Sequence, residues 1–394
     1  MKKKFACLAM AMVMVLSLAA CGGKKEEAPA AAPAESGSDS SVSVFKVGTI
    51  GPLSGDAAIY GQAVANGAKI AVDEINAAGG AIQFELQSQD DEADGEKSVN
   101  AYNTLMDWGM QVMVGPTTTG ASIAVSAQAN ADRTFMLTPS ASSVDVIDGK
   151  DNVFQVCFTD PNQGVASADY ISANMAGAKV AVIYRNDDAY SQGIRDTFVS
   201  EAADKGLEVV YEGTFTADTA TDFSVQLTGA QSAGADTVFL PIYYQPASVI
   251  LNQANAMGYE PTFFGVDGMD GILTMEGFDT SLAEGVMLLT PFSADAEDAR
   301  TQTFVKAYQD QFGETPNQFA ADAYDAVYIY AAALEAAGCT ADMSSADICE
   351  ALVGVMTTIS VDGLTGQGMT WSADGAVSKA PMAVVIKDGV YVTP

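Results

Sequence analysis

Short apolar runs alternate with longer amphipathic stretches along almost the whole chain. The apolar runs read FKVGTIG (45–51), FELQSQD (84–90), QVMVG (111–115), TFMLTP (134–139), VFQVCF (153–158), KVAVIY (179–184), LEVVYEG (207–213), DTVFLPI (236–242), TFFGVD (262–267), GVMLLTP (285–291) and MAVVIKDGVYV (382–392). Most are continuous and rich in Val and Ile, as expected of parallel strands covered on both faces. Helical spacing fills the intervals 60–78, 96–108, 122–131, 163–175, 191–205, 222–233, 247–257, 299–312, 319–337 and 345–355. The first of these stops at Gly79-Gly80, a helix-ending signal. This rhythm predicts an α/β protein built on doubly wound parallel sheets. Such sheets bind ligands beyond the carboxyl ends of their strands, so the loop after each strand is where chemistry is expected.

The first residues break the rhythm. Lys2, Lys3 and Lys4 precede an uncharged apolar run over 5–20, then Leu18-Ala19-Ala20-Cys21-Gly22. That run is marginal for a bilayer span of about 20 residues and fits the core of an export signal. The small residues before Cys21 match the bacterial lipobox, in which the Cys thiol receives a lipid. The expectation is a signal peptide over 1–20, lipidation of Cys21, and a disordered Pro-, Ala- and Ser-rich tether over 21–43 with a reach of roughly 25 Å. Each methylene buried in a bilayer adds about 0.8 kcal/mol, so several acyl chains anchor a soluble body. The body, 44–394, is long enough for two lobes.

The chain has 18 Lys and Arg against 50 Asp and Glu, a net charge of −32. Loss of the three leader lysines makes the body more acidic still. That balance argues against nucleic acid and against anionic membrane surfaces as partners. No His is present, which removes Ser–His–Asp and Cys–His catalysis and His-ligated zinc. No catalytic residue, metal site or cofactor motif is expected, and the chain is not read as an enzyme. Of the body cysteines, Cys157 reads as a core thiol. Cys339 and Cys349 are close enough in sequence for a disulfide, a pairing left open.

Three post-strand loops carry candidate chemistry. Gly115-Pro116-Thr117-Thr118-Thr119-Gly120 opens a helix, where hydroxyls and free N–H groups suit an anion such as a carboxylate. Simple N-capping by a Thr explains the same loop equally well. Thr138-Pro139-Ser140-Ala141-Ser142-Ser143 repeats the theme on the next strand and favours the anion reading. Asp267 ends an apolar strand and needs a partner, either a ligand ammonium or a structural hydrogen bond. Tyr60, Tyr190 and Tyr244 recur in such loops and offer flat walls with polar tips. Asp90-Asp91-Glu92-Ala93-Asp94-Gly95 looks like a calcium loop, but Ala101 stands where the bidentate Glu is required, so capping and solvation are expected there.

Taken together, these loops resemble the leucine/isoleucine/valine-binding family, the type I solute-binding proteins of ATP-binding-cassette importers. The resemblance runs over 44–394: VGTIGPLSGDAAIYGQAVANGAKIAVDEINAAGG, QDDEAD, VGPTTTGAS, MLTPSASS, DDAYSQG, YYQPAS, FFGVDG, FAADAYDAV and MTWSADG. It implies two lobes joined by a three-strand hinge, with 44–159 and 292–380 in one and 160–291 and 381–394 in the other. It further implies that a monomer takes a free amino acid, aliphatic or branched-chain, in the cleft and docks on a membrane permease. Thr119 and Ser142 would then hold the ligand carboxylate, helped by Thr118 and by backbone N–H near Thr117, Ser140 and Ala141. Asp267 would pair with the ammonium, Tyr190 and Tyr244 would face the ligand, and Tyr60 and Phe319 would border its side chain. A receptor of the same fold for another organic acid, or one that signals, is the alternative.

Overall fold

The computed structural model describes residues 42–394; the leader, Cys21 and nearly all of the expected tether lie outside them. Two sheets organise the chain. The first has five parallel strands in the order β2-β1-β3-β4-β5: β1 (Ser43–Gly51), β2 (Ile82–Asp90), β3 (Val112–Val114), β4 (Phe135–Thr138) and β5 (Val153–Gln155). The second has seven in the order β12-β11-β10-β9-β8-β6-β7. Its members are β6 (Lys179–Arg185), β7 (Glu208–Phe215), β8 (Thr237–Leu240), β9 (Thr262–Gly265), β10 (Met287–Thr290), β11 (Met382–Lys387) and β12 (Val390–Val392). The central strands are buried end to end, as their unbroken apolar runs require.

The helices are α1 (Ala58–Ala78), α2 (Gly95–Trp108), α3 (Thr119–Asp132), α4 (Asp160–Asn174), α5 (Ala189–Lys205), α6 (Ser224–Ser232), α7 (Tyr244–Met257), α8 (Ala299–Phe312), α9 (Gln318–Ala337) and α10 (Ser345–Met356). No described helix is long and apolar enough to cross a membrane. The chain crosses between the sheets three times: from β5 into α4, from β10 into α8, and from Lys379 into β11. After the second crossing α9 returns to the five-stranded side. There Tyr330 Oη donates to the Met113 carbonyl (2.7 Å) and Tyr324 Oη to Glu74 Oε2 (2.6 Å). A Cβ on Gly67 would lie 2.0 Å from the Ala320 carbonyl oxygen, so glycine is what lets α1 and α9 touch.

Two expectations are corrected here. The final run, 382–392, is two antiparallel strands and not one. Asp388 (φ 52°) and Gly389 (φ 75°) both take the left-handed region, which folds KDGV into a two-residue hairpin turn. The second sheet is therefore parallel only in its β6–β10 part. Cys339 and Cys349 are both free thiols. Cys339 lies past the end of α9 beside Glu74 and Ile75, whereas Cys349 faces Asn152 and Arg133 from α10. Burial pushes both thiols up, away from the reactive thiolate form.

Candidate functional site

The loop after β3 enters α3 through Thr118. Thr118 has the extended backbone of an N-cap (φ −97°, ψ 153°), yet its hydroxyl makes no capping bond. The Oγ1 atoms of Thr118 and Thr119 are both buried and have no protein partner. Buried hydroxyls are nearly always bonded, so two adjacent unpartnered ones at a helix start mark a place where an acceptor such as a carboxylate would be favoured. The capping explanation of this loop fails at Thr118.

The remaining hydroxyls brace the loop. Thr117 Oγ1 donates to the Ile50 carbonyl (3.2 Å), and Ser140 Oγ to the Thr117 carbonyl (2.6 Å). Thr138 Oγ1 donates to the Pro116 carbonyl (2.8 Å) and accepts the Ala141 N–H (3.0 Å). Ser142 Oγ accepts from Gln163 Nε2 (3.4 Å). Acidic residues in 90–94 are spent locally as well. Asp90 accepts from the Leu53 and Glu92 N–H groups, Asp91 from the Ala93 N–H and Ser98 Oγ, and Asp94 caps α2 through the Lys97 N–H.

The opposite wall belongs to the second sheet. Asp267 follows β9 and is 3% exposed. Tyr190 Oη donates to Asp267 Oδ1 (2.6 Å), and the Asp267 N–H donates to Gln163 Oε1 (3.1 Å). Burial pushes the Asp267 carboxyl up to about 6, while the Tyr190 hydrogen bond pulls it back. No Lys or Arg pairs with it among the described residues.

Tyr60, Thr117, Thr118, Thr119, Ser140, Tyr190, Asp267 and Phe319 line one cavity between the sheets. Its empty space, mouth included, is about 260 Å³. The walls meet so closely that about one water would fit between them. Ala141, Ser142 and Tyr244 do not line it. Tyr243 and Gly268, which sequence reasoning passed over, do. Tyr244 is the first residue of α7 and its ring meets Tyr60 edge-on at 4.9 Å, behind the cavity wall. Tyr243 precedes the helix in extended backbone and its ring meets those of Tyr60 (5.2 Å) and Tyr190 (5.0 Å). Tyr60 Oη donates to the Gly268 carbonyl and accepts the Tyr244 N–H (3.1 Å), bridging the two lobes.

The site thus offers unpaired hydroxyls on one side, an uncompensated buried carboxyl on the other and aromatic rings between. It contains no nucleophile–base pair, and His is absent from the chain. The sequence model of the periplasmic binding protein family matches residues 44–389. Leu/Ile/Val-binding protein homolog 3 of Brucella melitensis is 32% identical over 318 residues, 78% of this chain and 82% of its own. The structure of the branched-chain amino acid transporter substrate-binding protein LivJ from Streptococcus pneumoniae, in complex with isoleucine, superposes with a TM-score of 0.78 at 30% identity. That match covers 89% of this chain and 100% of the other. A solute-binding protein of an ABC transporter from R. palustris, in complex with benzoate, shares the fold with a TM-score of 0.78 at 22% identity, over 89% of this chain and 95% of its own. The chain therefore belongs to the periplasmic binding proteins of the leucine/isoleucine/valine-binding type, solute-binding partners of ATP-binding-cassette importers and not enzymes.

Proposed function

We propose that this protein captures a free amino acid with an aliphatic, branched side chain and delivers it, as a lipid-anchored monomer, to a membrane permease. The observation that carries the reading is the apposition of the orphan Thr118 and Thr119 hydroxyls to Asp267 across one cavity. A zwitterion satisfies both walls. Its carboxylate takes the hydroxyls and the helix start, and its ammonium takes the Asp267 carboxylate. Tyr60, Tyr243 and Phe319 then face its side chain. Anchoring through Cys21 is supported by the lipobox-like LAACG alone.

Binding proceeds without chemistry. The open form meets the amino acid, and the Thr loop takes its carboxylate. Closure brings Asp267 and the tyrosines onto the ammonium and excludes water, which strengthens the charge contacts. We assign 44–159 with 292–380 and 160–291 with 381–394 as the two bodies that move.

An aromatic carboxylate is the second reading. It is favoured by the four rings of the cavity wall, Tyr60, Tyr190, Tyr243 and Phe319. Such a ligand lacks an ammonium and would bury its own charge beside an unpaired Asp267, a cost of several kcal/mol. The zwitterion is therefore preferred. Calorimetry with leucine, isoleucine, valine and benzoate tests the choice. We expect the amino acids to bind and Asp267→Ala to weaken them on the order of a hundredfold or more. Leucine bound by that variant as by the wild type, or benzoate bound in preference to leucine, would reject the assignment.

A further inference from the structure

Gln163 lies in the first turn of α4, at the first crossing between the lobes, and is fully buried. It does not line the cavity. Its amide nevertheless reaches loops of both sheets: Oε1 accepts the Asp267 N–H (3.1 Å), and Nε2 donates to Ser142 Oγ (3.4 Å). The orientation is forced, because a backbone N–H can only donate and must meet the oxygen, which leaves the NH2 for the hydroxyl. Ser142 follows β4 and Asp267 follows β9, so one side chain spans the cleft behind the ligand position. We propose that Gln163 is a positioning residue that aims the Asp267 carboxyl at the ligand ammonium and couples that aim to the Ser142 loop on closure. This rests on Asp267 being the ammonium partner and adds a residue that never touches the ligand.

The surroundings explain why such a residue is needed. Asp267 faces the Asp160 carboxyl from α4, the Tyr190 hydroxyl from α5, Asp322 of α9, Tyr60 of α1 and Tyr243 ahead of α7, with the Cys157 thiol nearby. Asp322 is neutralised by Lys379 (2.6 Å). Asp160 is 1% exposed, and burial pushes its carboxyl well up, toward the neutral acid, against the pull of the Ser142 hydroxyl. Burial is what chiefly disfavours a charged Asp267, and the Tyr190 hydroxyl, which donates to its carboxylate, favours it.

The test is leucine affinity by calorimetry, between about pH 5 and about pH 8, for the wild type, Gln163→Leu and Gln163→Glu. In the wild type, acid should weaken leucine with a midpoint near the Asp267 titration. Removal of the amide frees the Asp267 backbone, so that Tyr190 no longer meets the carboxylate squarely; the midpoint should move up and leucine weaken roughly tenfold at neutral pH. Isocaproate, which is leucine without its ammonium, should show no such movement. Gln163→Glu places a like charge beside Asp267 and should move the midpoint further. Its acid form is isosteric with the amide, so it should fold at low pH even where the leucine variant does not. An equal loss at every pH, or a Gln163→Glu variant that melts at every pH, makes the amide simple scaffolding and overturns the proposal. Asp267→Asn binding leucine as tightly as the wild type would instead remove the underlying reading, whatever Gln163 does.

Discussion

At the scale of single residues, Asp267 couples folding to pH. Its carboxyl is raised from 3.8 to about 6 by burial. The folded protein therefore holds that proton more tightly than the unfolded chain does. The associated stability is fully present below about pH 4 and is lost as the pH rises through about 6. At neutral pH the ligand-free fold carries a desolvated charge. Asp267→Asn is expected to raise the stability of the ligand-free protein by on the order of 2 kcal/mol at pH 7, with no gain at about pH 4. Thermal melts at the two pH values check this, and an equal shift at both would contradict it. The same substitution should weaken amino-acid binding, a trade of function against stability. Asp267 was legible in the sequence because a charge ending an apolar strand has to be explained. Tyr243 was not. In Tyr243-Tyr244 either ring could face the cleft, and only the register at which α7 begins turns one inward and leaves the other behind Tyr60.

At the scale of elements, the start of α3 behaves differently from the other α-helix starts that carry a Ser, Thr, Asp or Asn at the N-cap. Asp94, Asp188, Asp298, Asn317 and Ser344 all cap their helices through the side chain. Thr118 does not, and Thr119 in the first turn is likewise unbonded. Loss of an ordinary cap costs about 1 kcal/mol. Thr118→Val and Thr119→Val should therefore leave the melting temperature nearly unchanged, while each weakens leucine roughly tenfold. Calorimetry and melting of the same samples decide; a clear drop in melting temperature without a drop in affinity would return these residues to a structural role. The sequence showed a hydroxyl-rich loop at this place but could not sort its members. Thr117, Ser140 and Ser142 turned out to be spoken for by the Ile50 carbonyl, the Thr117 carbonyl and Gln163. Those partners are far away along the chain, so spacing carries no trace of them.

At the scale of the whole molecule, the three crossings between sheets are the points about which the lobes can turn. Lys379, just before the third, is buried and bonds Asp322 Oδ1 of α9 (2.6 Å) and Thr365 Oγ1 (2.5 Å). Burial pushes Asp322 up and the Lys379 ammonium pulls it back. Removal of one partner strands the other charge, so Lys379→Met should destabilise the protein by about 3–5 kcal/mol. Lys379→Met with Asp322→Leu should recover most of that loss, because an apolar pair of similar volume carries no desolvation cost. Denaturant melts of the single and double variants measure both. A double variant no better than the single would show that the pair holds the crossing by geometry and not by charge balance.

The amino-acid sequence by itself determined the alternation of strands and helices, the α/β class, the loops that carry the site and the type of group each presents. Those properties depend on local periodicity and on residue chemistry. Tertiary structure decided which hydroxyls stay unpaired, which of two adjacent tyrosines reaches the cavity, that Gln163 stands behind Asp267, and that Cys339 and Cys349 remain apart. Each of these depends on a contact between segments distant in sequence, where a shift of one residue in register turns a side chain from the cleft into the core.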